Sequence, residues 1–343
     1  MRWAFVGIGR VTHRMVEAVR AAGHEVTLGA GRDPNKLREW QSRFGVPLAT
    51  TDLHAACESH HIDAVYIALP PSLHTEYAIR ALEAGKRVLC EKALTVNVDQ
   101  AEQIRQAVVR TKTPLMHATA FPYHPRSEAM RRVIQSGELG EICRVTVACS
   151  VGGILERRDH RGDASLGGGC LLDLGWYCVY STLWLTGFRP SRSLNPSTNE
   201  SERQMQSIGT RIGEGNSSAW YQVQTLARLE ATRDSRALPH RSLVASWDCG
   251  YEATGRKWIE IAGTQASIIC DDFLRPWDIQ KPRFWVHGSD GKARSETDGI
   301  GMFQESQMVR SVQSMSLEES LDGLSMAIET QSILDEIDRS LAS

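Results

Sequence analysis

The run Arg87-Val-Leu-Cys-Glu-Lys-Ala93 is apolar until it ends in a carboxylate and an ammonium. Its apolar part reads as a buried strand. Ligands bind beyond the carboxyl ends of the strands in an open parallel sheet, so Glu91 and Lys92 emerge where chemistry is done. A charged pair capping a strand end is the plain alternative. A second stretch of chemical character is Leu166-Gly-Gly-Gly-Cys-Leu-Leu-Asp-Leu-Gly-Trp-Tyr177. Its consecutive glycines strip side chains from the approach to a helix, which lets backbone N–H groups come close to a ligand. Asp173 and Tyr177 are four apart and share a helix face. A phenol beside a fixed carboxylate exchanges a proton with a substrate hydroxyl or carbonyl once a nearby cation lowers its pKa, and Lys92 is such a cation. An Asp hydrogen-bonded to a Tyr in an ordinary helix is the structural alternative.

The elements that must position these residues begin at the N-terminus. Trp3 to Gly7 is an apolar strand running into Gly7-Ile8-Gly9-Arg10-Val11-Thr12, and apolar residues then recur at Val11, Met15 and Val19 up to Gly23. Strand, glycine turn and helix form the context of a dinucleotide fingerprint, with the pyrophosphate on the helix N-terminus. Thr12 stands at the third position, where Gly or Ala is usual. The strand Glu25 to Ala30 ends in Gly31-Arg32-Asp33-Pro34. An NAD-binding chain places an acid there for the ribose 2'-hydroxyl, whereas Arg32, with Lys36 or Arg38 a turn on, suits a 2'-phosphate. NADP is therefore the expected cofactor, with NAD possible, and Asp33 and Pro34 equally suit the start of a helix. Ala64 to Leu69 is a further buried strand, and Pro70-Pro71-Ser72-Leu73-His74 is expected as a stiff loop lining the cofactor cleft, with a helix beginning at His74. Helical and strand periodicity continues to a last strand at Leu115 to Ala118, which implies a doubly wound parallel sheet.

Beyond this point the pattern changes. A helix over Ser127 to Ser136 is followed by strand-like runs at 142–149, 220–229, 242–249, 257–262, 267–270 and 283–287, and a helix closes the chain over Leu317 to Leu341. Strands without intervening helices imply a mostly antiparallel open sheet with one face available to a second subunit. The polar segment Arg189 to Ser217 reads as a long surface excursion. The formal charge of -2 over 343 residues, with both signs mixed, offers no footprint for nucleic acid or an anionic membrane. No stretch approaches the roughly 20 apolar residues of a membrane span, and the apolar run near the N-terminus is broken at Arg10, too early for a signal sequence. The eight cysteines include no Cys-x-x-Cys pair and read as buried thiols of a reducing cytoplasm. No ligand spacing suggests a metal site.

Taken together, Gly7-Ile8-Gly9, Glu91-Lys92, the Gly-Glu-Leu-Gly-Glu turn at 137–141 and the Gly-Gly-Gly-x-x-x-Asp-x-Gly-x-Tyr run resemble the glucose-fructose oxidoreductase, inositol dehydrogenase and MocA family (Gfo/Idh/MocA). The resemblance implies an α/β chain: an N-terminal Rossmann domain over 1–120, then a C-terminal α+β domain over 121–343 that binds substrate and oligomerises as a homodimer or homotetramer through its sheet. Hydride transfer at a carbinol or carbonyl carbon of a sugar or polyol is the implied activity. Lys92 and Asp173 take the family's catalytic positions, and Tyr177 fills a place that is Tyr in members resembling the dihydrodiol and xylose dehydrogenases. Gly7, Ile8, Gly9, Arg10, Val11, Arg32, Leu69, Pro70, His74, Glu91 and Lys92 are expected at the cofactor, and Tyr123, His160 and Arg161 at the substrate, with His124 and Arg158 as neighbours of the same kind. The chain departs from the family where Ala93 replaces the proline that follows a cis peptide, and where Phe121 and Pro122 stand in place of frequent arginine. Two other activities stay open: an NAD-dependent glycoside hydrolase-like enzyme and a non-catalytic NADP-binding regulator.

Overall fold

The computed structural model describes residues 1–152, 159–188, 203–212, 218–230 and 242–342. Two compact units are formed, one from Met1–Tyr123 with Phe303–Gln331, the other from His124–Met302 with the residues from Ser332 onward.

In the first unit, strands β1 (Arg2–Val6), β2 (Glu25–Ala30), β3 (Leu48–Thr50), β4 (Ala64–Ile67), β5 (Arg87–Cys90) and β6 (Leu115–His117) pair in the order β3-β2-β1-β4-β5-β6. Every pairing is parallel. This is the doubly wound order, and its direction reverses between β1 and β4, where ligands of such sheets bind. Trp3 to Val6 and Ala64 to Ile67 are fully buried because helices cover both faces. The connecting helices are α1 (Val11–Ala21), α2 (Pro34–Phe44), α3 (Leu53–Glu58), α4 (Pro71–Glu83) and α5 (Val98–Thr111). Pro71 is the first residue of α4, so Pro71 to His74 is helix rather than the expected loop. The reason is that proline lacks only an N–H that the first helical turn leaves unused anyway.

Helix α8 (Gln304–Ser314) and the first part of α9 (Leu317–Ala342) belong to this unit, whereas a division at residue 120 assigns them to the other. Their packing has a physical cause. Met308, Val309, Val312 and Met315 complete the first unit's core. The Ser320 hydroxyl both accepts from Leu115 N at 2.9 Å and donates to Leu115 O at 2.8 Å, which satisfies the edge strand β6.

The second unit holds α6 (Pro125–Gln135), β7 (Ile142–Ser150), α7 (Trp176–Thr186), β8 (Arg203–Ile212), β9 (Ala219–Glu230), β10 (Ser242–Gly250), β11 (Arg256–Gly263), β12 (Ala266–Cys270), β13 (Arg283–Gly288) and β14 (Ala293–Thr297). The strands form one sheet ordered β14-β13-β12-β11-β7-β10-β9-β8, antiparallel except for β7 with β10. Leu243, Ala245, Trp247 and Cys249 alternate inward on β10, and Trp247 Nε1 donates to Thr182 Oγ1 on α7 at 3.0 Å. Ile208 and Leu226 remain exposed on β8 and β9. The expected excursion over Arg189 to Ser217 therefore contains an edge strand at Arg203–Ile212; residues 189–202 and 213–217 lie outside the described residues. An edge strand paired along one side needs few apolar residues, so its polar composition looked like a loop. Seven cysteines are buried, but Cys143 is exposed. It is passed over where the β7–β11 register shifts between Ala262 and Gly263.

Candidate active site

In the first unit the expected cofactor residues gather at the carboxyl ends of β1, β2, β4 and β5. Gly7 follows β1 with φ of +96°, and a Cβ there would collide with the Ala68 carbonyl. No side chain but hydrogen fits both the conformation and the space. Gly9 is exposed, with open space where a Cβ would be, directly before the N-terminus of α1. Ile8 packs over Gly31, Arg10 is the exposed residue that precedes α1, and Val11 is its half-exposed first residue. These backbone groups form a cradle that a pyrophosphate would fill at a helix N-terminus. Asp33 caps α2, its Oδ1 accepting from Asn35 N at 2.9 Å and Lys36 N at 3.2 Å, while Arg32, Lys36 and Arg38 are exposed.

Lys92 is positioned through its neighbours. The Tyr66 hydroxyl, at the end of fully buried β4, donates to Glu91 Oε1 at 2.5 Å, and Lys92 N donates to Glu91 Oε2 at 3.2 Å. The Lys92–Ala93 peptide is cis, although the second residue is not proline. His74 is fully buried on α4. Its Nδ1 lies 2.9 Å from Ala93 O and 3.2 Å from Leu94 O, and its Nε2 lies 2.8 Å from Leu69 O. One imidazole thus ties the segment after β4 to the segment after β5, on either side of which Pro70 and Lys92 sit. The Tyr123 hydroxyl donates to Met116 Sδ at 3.2 Å, and burial followed by the Glu319 charge raises its pKa to about 12.

In the second unit Asp173 lies on a π-helical turn, Leu171–Gly175, and Tyr177 is the second residue of α7, which continues it. A π-turn changes the phase of the helix, so the four-residue spacing no longer fixes a shared face. The Tyr251 hydroxyl donates to Asp173 Oδ2 at 3.1 Å. Arg161 joins the same oxygen, Nε to Oδ2 at 2.9 Å, and also reaches Asp159 Oδ2 at 3.1 Å. Arg161 therefore pairs with two carboxylates of its own chain. Burial opposes its charge, but Asp173 and Asp159 outweigh burial and raise its pKa. His160 is partly exposed beside Asp159, with Nδ1 3.5 Å from Oδ1. Arg158 lies outside the described residues.

The glycine run has a different purpose from the expected one. Gly167 N donates to Ala164 O, Gly168 N to Asp163 O and Gly169 N to Arg161 O, at 2.9, 2.9 and 2.7 Å. A side chain on Gly168 would strike the carbonyls of His160, Asp163 and Arg161. The glycines hold the loop carrying Arg161 against the π-turn, and their N–H groups are already used. Tyr66, Tyr251 and Asp159 escaped the sequence reading. Tyr66 alone had a signal, a phenol in an otherwise apolar buried strand that needs a partner for its hydroxyl.

Two family descriptions match the chain: "Oxidoreductase family, NAD-binding Rossmann fold" over residues 1–119 and "GFO/IDH/MocA C-terminal domain" over residues 127–269. The chain belongs to the Gfo/Idh/MocA oxidoreductase family. It is 33% identical over 173 residues to D-xylose 1-dehydrogenase (NADP(+)) 2 of Haloferax volcanii, covering 50% of this chain and 52% of the relative. The chain spans about half the length of the curated relatives it matches. A variant of KijD10, a 3-ketoreductase from Actinomadura kijaniata solved with TDP-benzene and NADP, shares the fold with a TM-score of 0.81 at 22% identity, over 99% of this chain and 97% of its own. Levoglucosan dehydrogenase, solved with NADH and levoglucosan, shares it with a TM-score of 0.79 at 18% identity, over 100% and 97%.

Proposed function

We propose that the protein is an NAD(P)-dependent oxidoreductase acting on a carbinol or carbonyl carbon of a sugar, polyol or related small molecule. The observation that carries this reading is the cradle at Gly7 and Gly9 after β1, with Lys92 following β5, two strands away in the same sheet. Gly7, Ile8, Gly9, Arg10 and Val11 would hold the pyrophosphate, Leu69, Pro70 and His74 the adjoining wall, and Glu91 and Lys92 the nicotinamide end. A bound nicotinamide supplies or takes the hydride. Lys92 stabilises the oxyanion that develops on the substrate, Tyr177 moves the proton, and Asp173 orients the reacting hydroxyl. Tyr123, His160 and Arg161 are the candidates for substrate contacts.

NADP is the preferred cofactor in this reading. Asp33 is the only acid beside Arg32 at the end of β2, and its carboxylate is taken by the cap of α2. Arg32, exposed with Lys36 and Arg38, then faces the ribose as a cation that suits a 2'-phosphate. The Haloferax relative's NADP(+) supports this choice. The exposed Ile208 and Leu226 support assembly as a homodimer or homotetramer through the open sheet. Eight cysteines without a disulfide support a cytoplasmic setting, and no helix among the described residues is long and apolar enough to cross a membrane.

The test is a spectrophotometric screen of NADP+ and NAD+ reduction against aldoses, inositols and sugar acids. Turnover faster with NADP+ than with NAD+ is expected. A clear NAD+ preference would refute the role of Arg32, and cofactor binding without turnover across the panel would leave a regulator.

A further inference from the structure

We propose that Arg161 and Tyr251 are positioning residues that orient the Asp173 carboxylate and keep its charge. This rests on the reading of Asp173 as part of the active site. Both donors converge on one oxygen, Oδ2, at 2.9 Å from Arg161 Nε and 3.1 Å from the Tyr251 hydroxyl. They approach from separate parts of the unit. Arg161 belongs to the short 3-10 turn His160–Gly162, whereas Tyr251 follows β10, 78 residues beyond Asp173 in sequence. Two donors fixed on different elements hold a carboxylate in one orientation better than either alone, because rotation about its Cβ–Cγ bond would break both bonds.

Each positioning residue is itself held. Asp159 accepts from Arg161 N at 3.0 Å and from its guanidinium NH1 at 3.2 and 3.1 Å, so the backbone and side chain of Arg161 are pinned by one carboxylate. Gly169 N donates to Arg161 O at 2.7 Å, which ties the arginine to the residue just ahead of the π-turn. Tyr251 is fully buried, and its N–H donates to Tyr221 O on β9 at 3.0 Å. Burial first and the Asp173 charge second raise the Tyr251 pKa, so its hydroxyl keeps the proton it donates. Other titratable groups from the packed elements include Cys170 ahead of the π-turn and Cys249 on β10, thiols 3.9 Å apart, and Tyr221 on β9, whose ring lies 6.0 Å from that of Tyr251. Arg161 is thus a cation paired with Asp173, and Asp159 is a second anion that shares it.

The experiment uses the full chain with isotope-labelled aspartate, following carboxyl signals by NMR against pH and assigning Asp173 by the signal lost in Asp173→Asn. The midpoint is expected to rise by about one unit in Tyr251→Phe and by roughly one to three units in Arg161→Ala, as a carboxylate loses a donor or a paired guanidinium. Arg161→Lys returns part of the shift, since charge is kept and the fork is lost. Unmoved midpoints in Tyr251→Phe and Arg161→Ala overturn the proposal, including where thermal stability falls, because a staple of the loop alone would lower stability without touching the titration. Turnover by Asp173→Asn of the aldose, inositol or sugar acid that the unaltered chain oxidises with NADP+ separates the two claims. Full turnover with shifted midpoints removes Asp173 from catalysis but leaves its positioning intact, whereas lost turnover with unmoved midpoints removes only the positioning.

Discussion

The Thr12 hydroxyl donates to Gly9 O at 2.6 Å and accepts from Trp40 Nε1 at 2.9 Å, while the side chain as a whole is fully buried. The polar residue at the third position of the glycine turn is therefore a cross-link from the turn to α2. In Thr12→Ala the indole N–H of Trp40 stays buried without its acceptor, which costs about 1–3 kcal/mol. Urea denaturation is expected to report that loss, and an unchanged midpoint would contradict the role of the hydroxyl. Residues of this kind mark the limit of what could be read in the sequence. Lys92, Glu91 and the two glycines carry their position in the local pattern of strand and turn. Tyr251 does not, because its meeting with Asp173 depends on how β10 ends beside the π-turn. Arg161 was visible as a candidate but not its partners, since pairing with Asp159 and Asp173 is a property of the folded loop.

At the scale of elements, periodicity was legible for most elements that bury one face or both, α8 being an exception. The strands of the parallel sheet read as apolar runs, and β10 reads as alternation, because burial imposes those patterns. Three strands with little buried surface were not legible, among them β14, four of whose five residues are exposed. β3 has three residues, of which Leu48 is exposed, and β8 is an edge strand of polar composition. The π-turn over Leu171–Gly175 was hidden for another reason: a helix that changes pitch keeps a helical composition. Helix α8 had the spacing of a buried face at Met308, Val309 and Val312, but the unit it completes lies about 190 residues earlier in the chain. The buried pair of Arg126 on α6 with Asp272 after β12 is likewise a long-range event, and it fixes the position of two elements rather than revealing itself in either.

For the molecule as a whole, stability should depend on pH through buried histidine. His117 is buried at the end of β6, and burial pushes its pKa down to about 4. The unfolded chain takes up that proton at about pH 6.5, so between about 6.5 and 4 the unfolded state binds a proton that the native state refuses. Stability from this group is therefore complete above 6.5 and is lost as the pH falls toward 4. His124, lowered to about 4 by burial and then by the Arg126 charge, acts in the same direction. Urea midpoints are expected to fall between pH 7 and pH 5, with His117 contributing on the order of 2 kcal/mol. His117→Gln should flatten the slope, and a slope unchanged by that substitution would contradict the assignment. The central claim, however, is that this fold performs a hydride transfer in which Lys92 stabilises charge on the substrate. Turnover by Lys92→Met, measured beside its NADPH affinity, tests that most directly. The predicted result is a fall in turnover of at least about 100-fold with NADPH affinity nearly intact, and undiminished turnover would contradict the account.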